Sequence, residues 1–151
     1  MLLARDYRAD VLGVALGGAI GGASWNAEVV PTRSEDGTTR TALLGSLHYA
    51  WTWGTRNIDG YVEYFRNGFG VGGRDNALST PPAALSVRLA RGQLFTVSRN
   101  YLAAGMDLRW TPLLDIKPLV IANLDNHSAL WVGQAVYSLS QNVNVTAGVQ
   151  F

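Results

Sequence analysis

Two histidines and no cysteine among 151 residues leave this chain few groups that could do chemistry. Without cysteine there is no disulfide framework, no thiol nucleophile and no thiolate metal site. His48 lies in "SLHYAW" and His127 in the turn-like "DNHS". Two distant imidazoles with no carboxylate run of calcium-loop spacing make no metal site. "GFGVGG" has the glycines of a phosphate loop but lacks the following Lys-Ser/Thr, so it reads as plain loop glycine. The expectation is therefore no catalytic residues, no cofactor and no metal. The richer constellation is electrostatic: Glu28, Asp59, Glu63 and Asp107, within reach of Arg109, Lys117 and Arg40.

Those charges need elements to hold them, and the pattern of the elements has period two. "TALLGSLHYAWTWG" places Leu43, Leu47, Tyr49, Trp51 and Trp53 on one face and Ser46, His48 and Thr52 on the other. "NIDGYVEYFR", "YLAAGMDLRW", "LWVGQAVYSL" and "NVNVTAGVQF" alternate in the same way. The spacing predicts eight strands, at 8–20, 23–32, 40–54, 57–66, 99–111, 116–125, 129–139 and 142–151. Most joints are short and carry turn residues, as in "SEDGTT", "DNHS" and "SQN". The exception is the connection 67–98, where "PPAALSVRLARG" reads as a short helix with Pro82 at its start and Gly92 as its stop. No helical segment is long enough to cover a sheet face, so a single all-β, antiparallel domain over 1–151 is expected.

A soluble sandwich also alternates, and two details argue for a membrane wall instead. Glu28, Asp59, Glu63, Asp107 and Arg109 all fall opposite the oily face, among small residues such as Gly13, Ala15 and Ser46. That is the composition of a crowded polar lumen with lipid outside. With plain up-and-down order, Trp25, Trp51, Trp53, Trp110 and Tyr137 fall toward one rim, and Tyr7, Tyr64, Tyr101, Trp131 and Phe151 toward the other. Two aromatic belts are what two membrane interfaces select. The apolar run Val11–Ala23 has the length of a signal-peptide core, but its mixed-charge flank does not suit one. An export signal is thus not evident in these residues.

The closing decapeptide "NVNVTAGVQF", apolar at Val143, Val145, Ala147 and Val149 and ending in Phe151, resembles the C-terminal strand signature of Gram-negative outer-membrane β-barrels. The resemblance implies an up-and-down transmembrane barrel in the bacterial outer membrane, its last strand read by the barrel-assembly machinery and closing on the first. The implied role is structural or porin-like passive transport, with outer-membrane lipid as a partner and ions or a small polar solute as cargo. Nearly balanced charge, 12 Lys+Arg against 11 Asp+Glu, implies no nucleic-acid partner. A salt-bridged plug and a water-filled path both fit the inward charges. Eight strands alone leave almost no pore, whereas a wider barrel, of which this chain is a part, would make the same charges line a channel. The short outer joints and the missing export signal favour the wider barrel. The 67–98 segment could fold inward, bringing Arg88 and Arg91 to the carboxylates. Two other classes stay open: a lipid-modifying outer-membrane enzyme, and a soluble β-barrel binding an apolar ligand.

Overall fold

Tyr7 and Arg8 both have left-handed backbones, at φ 44° and 64°, and so join two strands through a tight hairpin. Two successive positive-φ residues suit the right-handed twist of paired strands. The structure, a computed structural model that describes residues 1–73 and 80–151, therefore opens with β1 (Leu2–Asp6) paired to β2 (Ala9–Ile20). The eight expected strands become nine, because this turn lacks the Asn-Gly or Asp-Gly signature that marks such hairpins in sequence.

The remaining strands fall within two residues of the expected ranges. They are β3 (Ala23–Arg33), β4 (Thr39–Trp53), β5 (Arg56–Arg66), β6 (Asn100–Thr111), β7 (Leu114–Asn123), β8 (Ser128–Ser140) and β9 (Val143–Gln150). A short helix, α1 (Ala83–Ala90), interrupts the series between β5 and β6. Pro82 precedes its first turn, and Gly92 at φ 67° follows it.

All nine strands belong to one antiparallel sheet in chain order, β1 through β9. The sheet is not closed. Among the described residues β1 pairs only with β2, and β9 only with β8. This corrects the expectation that the last strand meets the first. In an antiparallel series the first and ninth strands run in the same direction, so β1 and β9 could not form the antiparallel pair that closure needs.

The register carries a steady stagger. A single ladder row runs from Ile20 and Ala23, at the β2–β3 turn, through Tyr49, Gly60, Met106, Pro118 and Gly133 to Val149, near the far end of β9. The hairpin ends thus slide by about one residue per strand across the sheet. A meander with level turns would have no such slide.

Little of the sheet is covered. Among the described residues the buried apolar side chains are Ala9, Ile58, Phe69 and Leu85, with Asn67 and Ser98 the buried polar ones. Four of these six belong to the 67–98 segment, so the packed core lies where that segment meets the sheet.

Candidate functional site

Cross-strand partners share a face, so the register sorts every strand residue onto one of two surfaces. On the charged surface one row runs Ala50, Asp59, Asp107, Lys117, Gln134 and Gly148, and the next runs Ser24, His48, Tyr61, Gly105, Leu119, Val132 and Gln150. Glu28, Glu63, Arg109 and Asp115 lie on the same surface. A cleft of about 830 Å³ occupies it, reaching from Ala19 on β2 to Gln150 on β9 and lined by His48, Asp59, Tyr61, Asp107 and Lys117.

Of the expected charge network, the structure joins some members and leaves others apart. Lys117 Nζ lies 2.6 Å from Asp107 Oδ2, a close pair on adjacent strands. Arg109 turns instead to Asp115, with Nε 3.7 Å from Oδ1. Asp115 sits in "TPLLD", which reads as a turn in the sequence, and β7 begins one residue before it. Glu28 accepts a hydrogen bond from Asn26 Nδ2 at 3.2 Å. Asp59 stands directly opposite Asp107, and neither Asp59 nor Glu63 has an ion pair among the described residues. Within the strands the surface therefore carries six carboxylates, these five and Asp6, against Arg40, Arg109 and Lys117, and the cleft itself holds Asp59 and Asp107 against Lys117. His48 stacks on Tyr61 with ring centroids 5.6 Å apart. His127 sits in the β7–β8 turn at φ 62°, far from it in the fold.

The opposite surface is apolar without interruption between its ends. Its rows contain Leu16, Ala27, Gly45, Tyr64, Leu102, Ala122 and Ala129, then Trp25, Leu47, Val62, Ala104, Val120 and Trp131, then Trp51, Ile58, Leu108, Ile116, Ala135 and Ala147. Charged residues appear on it only at strand ends: Arg5, Asp10, Arg33, Arg56 and Arg66. All five tryptophans lie here. So do Tyr64 and Tyr137, while Phe151 continues β9 and exchanges backbone hydrogen bonds with Trp131. Arg56 caps the rim by stacking on Trp110, 3.7 Å from the ring centroid. Two aromatics of the expected belts lie elsewhere. Tyr101 is on the charged surface opposite Phe65 and Asn123, its hydroxyl accepting from Ser98 N, and Tyr7 is in the β1–β2 turn.

The 67–98 segment folds onto the sheet at one end; its residues 74–79 lie outside the described residues. Arg88 and Arg91 do not reach the carboxylates of the charged surface. Arg88 stacks over Phe69 at 3.8 Å and Arg91 over Tyr7 at 4.2 Å, because the helix docks beside β1–β4 and away from Asp59 and Asp107. Arg88 also donates to Ser34 Oγ, and Arg40 approaches the same Phe69 ring at 5.5 Å. Partial burial, then the neighbouring charges of Arg91 and Arg40, pull the Arg88 guanidinium below its usual basicity.

Both feet of the segment are tied. Asn67 is fully buried and donates to Thr96 O and Oγ1 while accepting from Phe69 N. Gly68 lies against the Thr41 backbone so closely that a Cβ would sit 2.5 Å from its carbonyl oxygen. At the other foot Asp125 accepts from Arg99 N, Asn100 N and Asn100 Nδ2, and Asn123 Nδ2 donates to Ser98 Oγ. Sequence reading missed this knot, since its members are scattered turn-type residues with no spacing of their own.

Among the described residues no group of three potential metal ligands clusters, and no helix is long and apolar enough to cross a membrane. No family model, curated protein or solved structure matches the chain.

Proposed function

We propose that this chain is wall of a bacterial outer-membrane β-barrel, with a structural or passive, porin-like role. The observation that carries the reading is the uncharged surface. Leu16, Ile20, Trp53, Trp131, Val145 and Val149 stand on it at 65%, 73%, 66%, 52%, 51% and 61% exposure, in a continuous field nine strands wide. Monomeric soluble proteins rarely leave apolar patches above a few hundred Å² in water. Hydrocarbon accepts such a surface without penalty, and strands enter it when their backbone groups are paired into a closed wall. Strands of 8 to 15 residues from β2 to β9 suit the roughly 9–11 that cross a bilayer at a tilt. The stagger of about one residue per strand supports the same reading.

The charged surface then faces water inside. Its six strand carboxylates and three cations suit a path for cations or small cationic solutes better than one for anions. The docked 67–98 segment narrows one end of that path.

The test is refolding from urea into detergent micelles, followed by gel electrophoresis with and without boiling. The expected result is a β-rich species whose mobility changes on heating. Good solubility of the folded chain without detergent would overturn the membrane reading.

A further inference from the structure

We infer that the seam closing this wall is β9 on β2, and that β1 occupies part of that seam until β9 displaces it. The inference rests on the barrel reading above. β1 covers only Ala9–Gly13 of β2, so the edge of β2 from Val14 to Ile20 is unpaired among the described residues. β9 is likewise unpaired on its far side and exposed along its whole length. An open edge inside hydrocarbon is costly, because its N–H and C=O groups find no water. β1 cannot relieve β9 in an antiparallel ladder, since both run in the same direction. β2 can.

The two edges also match in chemistry. Val14, Leu16 and Ile20 would continue the apolar surface of Val143, Val145, Ala147 and Val149. On the charged surface Ala15, Gly17 and Ala19 would meet Asn144, Thr146 and Gly148, all small enough for a narrow interior. Ala19 and Ser24 from one side, and Thr146, Gly148 and Gln150 from the other, already line the same cleft.

Register follows from the stagger. The row through Ile20 reaches Val149, and closing eight strands at about one residue each shifts it by about eight. Leu16 then falls opposite Val145, and Leu12 opposite Val149. Leu12 is at present the partner of Leu3 on β1. The lower end of β9 and the strand β1 therefore compete for the same backbone groups of β2.

The chain has no cysteine, so paired cysteines report directly. In refolded micelles, Leu16→Cys with Val145→Cys is expected to form an intramolecular disulfide under mild oxidation, more readily than Leu16→Cys with Val143→Cys or Ala147→Cys. Leu3→Cys with Leu12→Cys, oxidised before refolding, is expected to abolish most of the heat-modifiable band, and reduction is expected to restore it. Only intermolecular cross-links from all three β9 pairs would make a second copy the partner and overturn the seam. So would normal closure of the β1-locked chain. The heat-modifiable band of the reduced variants reports the barrel reading separately: a band without an intramolecular cross-link sinks the seam alone, and no band sinks both.

Discussion

Tyr61 lies across Gly105, its cross-strand partner, so closely that a Cβ on the glycine would stand 2.7 Å from the phenol ring. On the other surface Trp51 treats Gly60 in the same way, at 2.8 Å. Each glycine gives an aromatic a flat bed on the neighbouring strand, which restores the side-chain packing the glycine itself lacks. Gly105→Ala is therefore expected to push Tyr61 off its bed and destabilise the sheet by about 1–3 kcal/mol, the usual cost of overpacking. Urea midpoints in micelles measure it. Tyr61→Ala in the same chain is expected to remove most of the Gly105→Ala penalty; strict additivity of the two changes would deny the contact its role.

Asp125 offers a second handle. Its carboxylate accepts three bonds from the Arg99–Asn100 foot of the 67–98 segment, at 2.7 to 2.9 Å. Asp125→Ala leaves two backbone N–H groups at a part-buried site without that acceptor, a loss on the order of 2–3 kcal/mol. The segment rather than the whole sheet should loosen, so limited proteolysis is the informative measurement. Cleavage within 67–98 is expected to accelerate while the circular dichroism of the strands is retained. Unchanged cleavage would show that Asn67 holds the segment by itself.

The Lys117–Asp107 pair is close but nearly half exposed, at 41% and 44% for the two side chains. Exposed pairs contribute little, about 0.2–1 kcal/mol, and less as salt rises. Lys117→Met is accordingly expected to leave stability almost unchanged. Its effect should be on selectivity, because it frees Asp107 beside Asp59 and deepens the negative balance of the cleft. Reversal potentials in planar bilayers are expected to shift toward cations in Lys117→Met and away from them in Asp59→Asn with Glu63→Gln.

Much of this was legible in the sequence, for a definite reason. Strand positions in "TALLGSLHYAWTWG" and "NVNVTAGVQF" follow from alternation, and one surface here is so uniformly apolar that a register slip would be obvious. The helix was legible because Pro82 and Gly92 bracket it. What failed to show was long-range or carried by unmarked backbone. The Tyr7–Arg8 turn uses left-handed residues without glycine, so β1 stayed hidden and the sheet could not be counted correctly. Arg88 and Arg91 follow aromatic rings instead of carboxylates, a choice set by where the helix docks and by nothing in the charge pattern. Asp115 was concealed by its place next to a turn. Asp125 and Asn67 look like ordinary turn residues until the two feet of the segment meet.

The β3–β4 turn carries a titration that can be signed. The backbone N–H of Thr38 donates to Asp36 Oδ1 at 2.9 Å, and this bond above all holds the Asp36 carboxyl below the usual 3.8. A carboxylate whose folded pKa is depressed adds stability above its unfolded pKa and loses it as the pH falls through the folded value. The turn should therefore stay ordered at neutral pH and loosen only in strong acid. Carbon-detected NMR of Asp36 measures the titration, and Thr38→Pro, which removes the donor, is expected to bring it back up toward 3.8. An unchanged midpoint in that variant would assign the depression to Arg40 instead.

All five tryptophans project from the uncharged surface, and none from the charged one, which makes fluorescence a direct reader of what that surface touches. In single-tryptophan chains with the other four replaced by phenylalanine, lipids brominated on their acyl chains should quench Trp25, Trp51 and Trp131 strongly. Aqueous acrylamide should quench them weakly. All five, including Trp53 at the end of β4 and Trp110 under Arg56, are expected to respond best to bromines near the headgroup end of the acyl chain, as rings at a membrane interface do. A tryptophan moved to the charged surface by Tyr61→Trp should show the reverse preference. Equal acrylamide quenching at Trp131 and at Tyr61→Trp would mean that both surfaces face water, and the wall would then have no lipid to stand in.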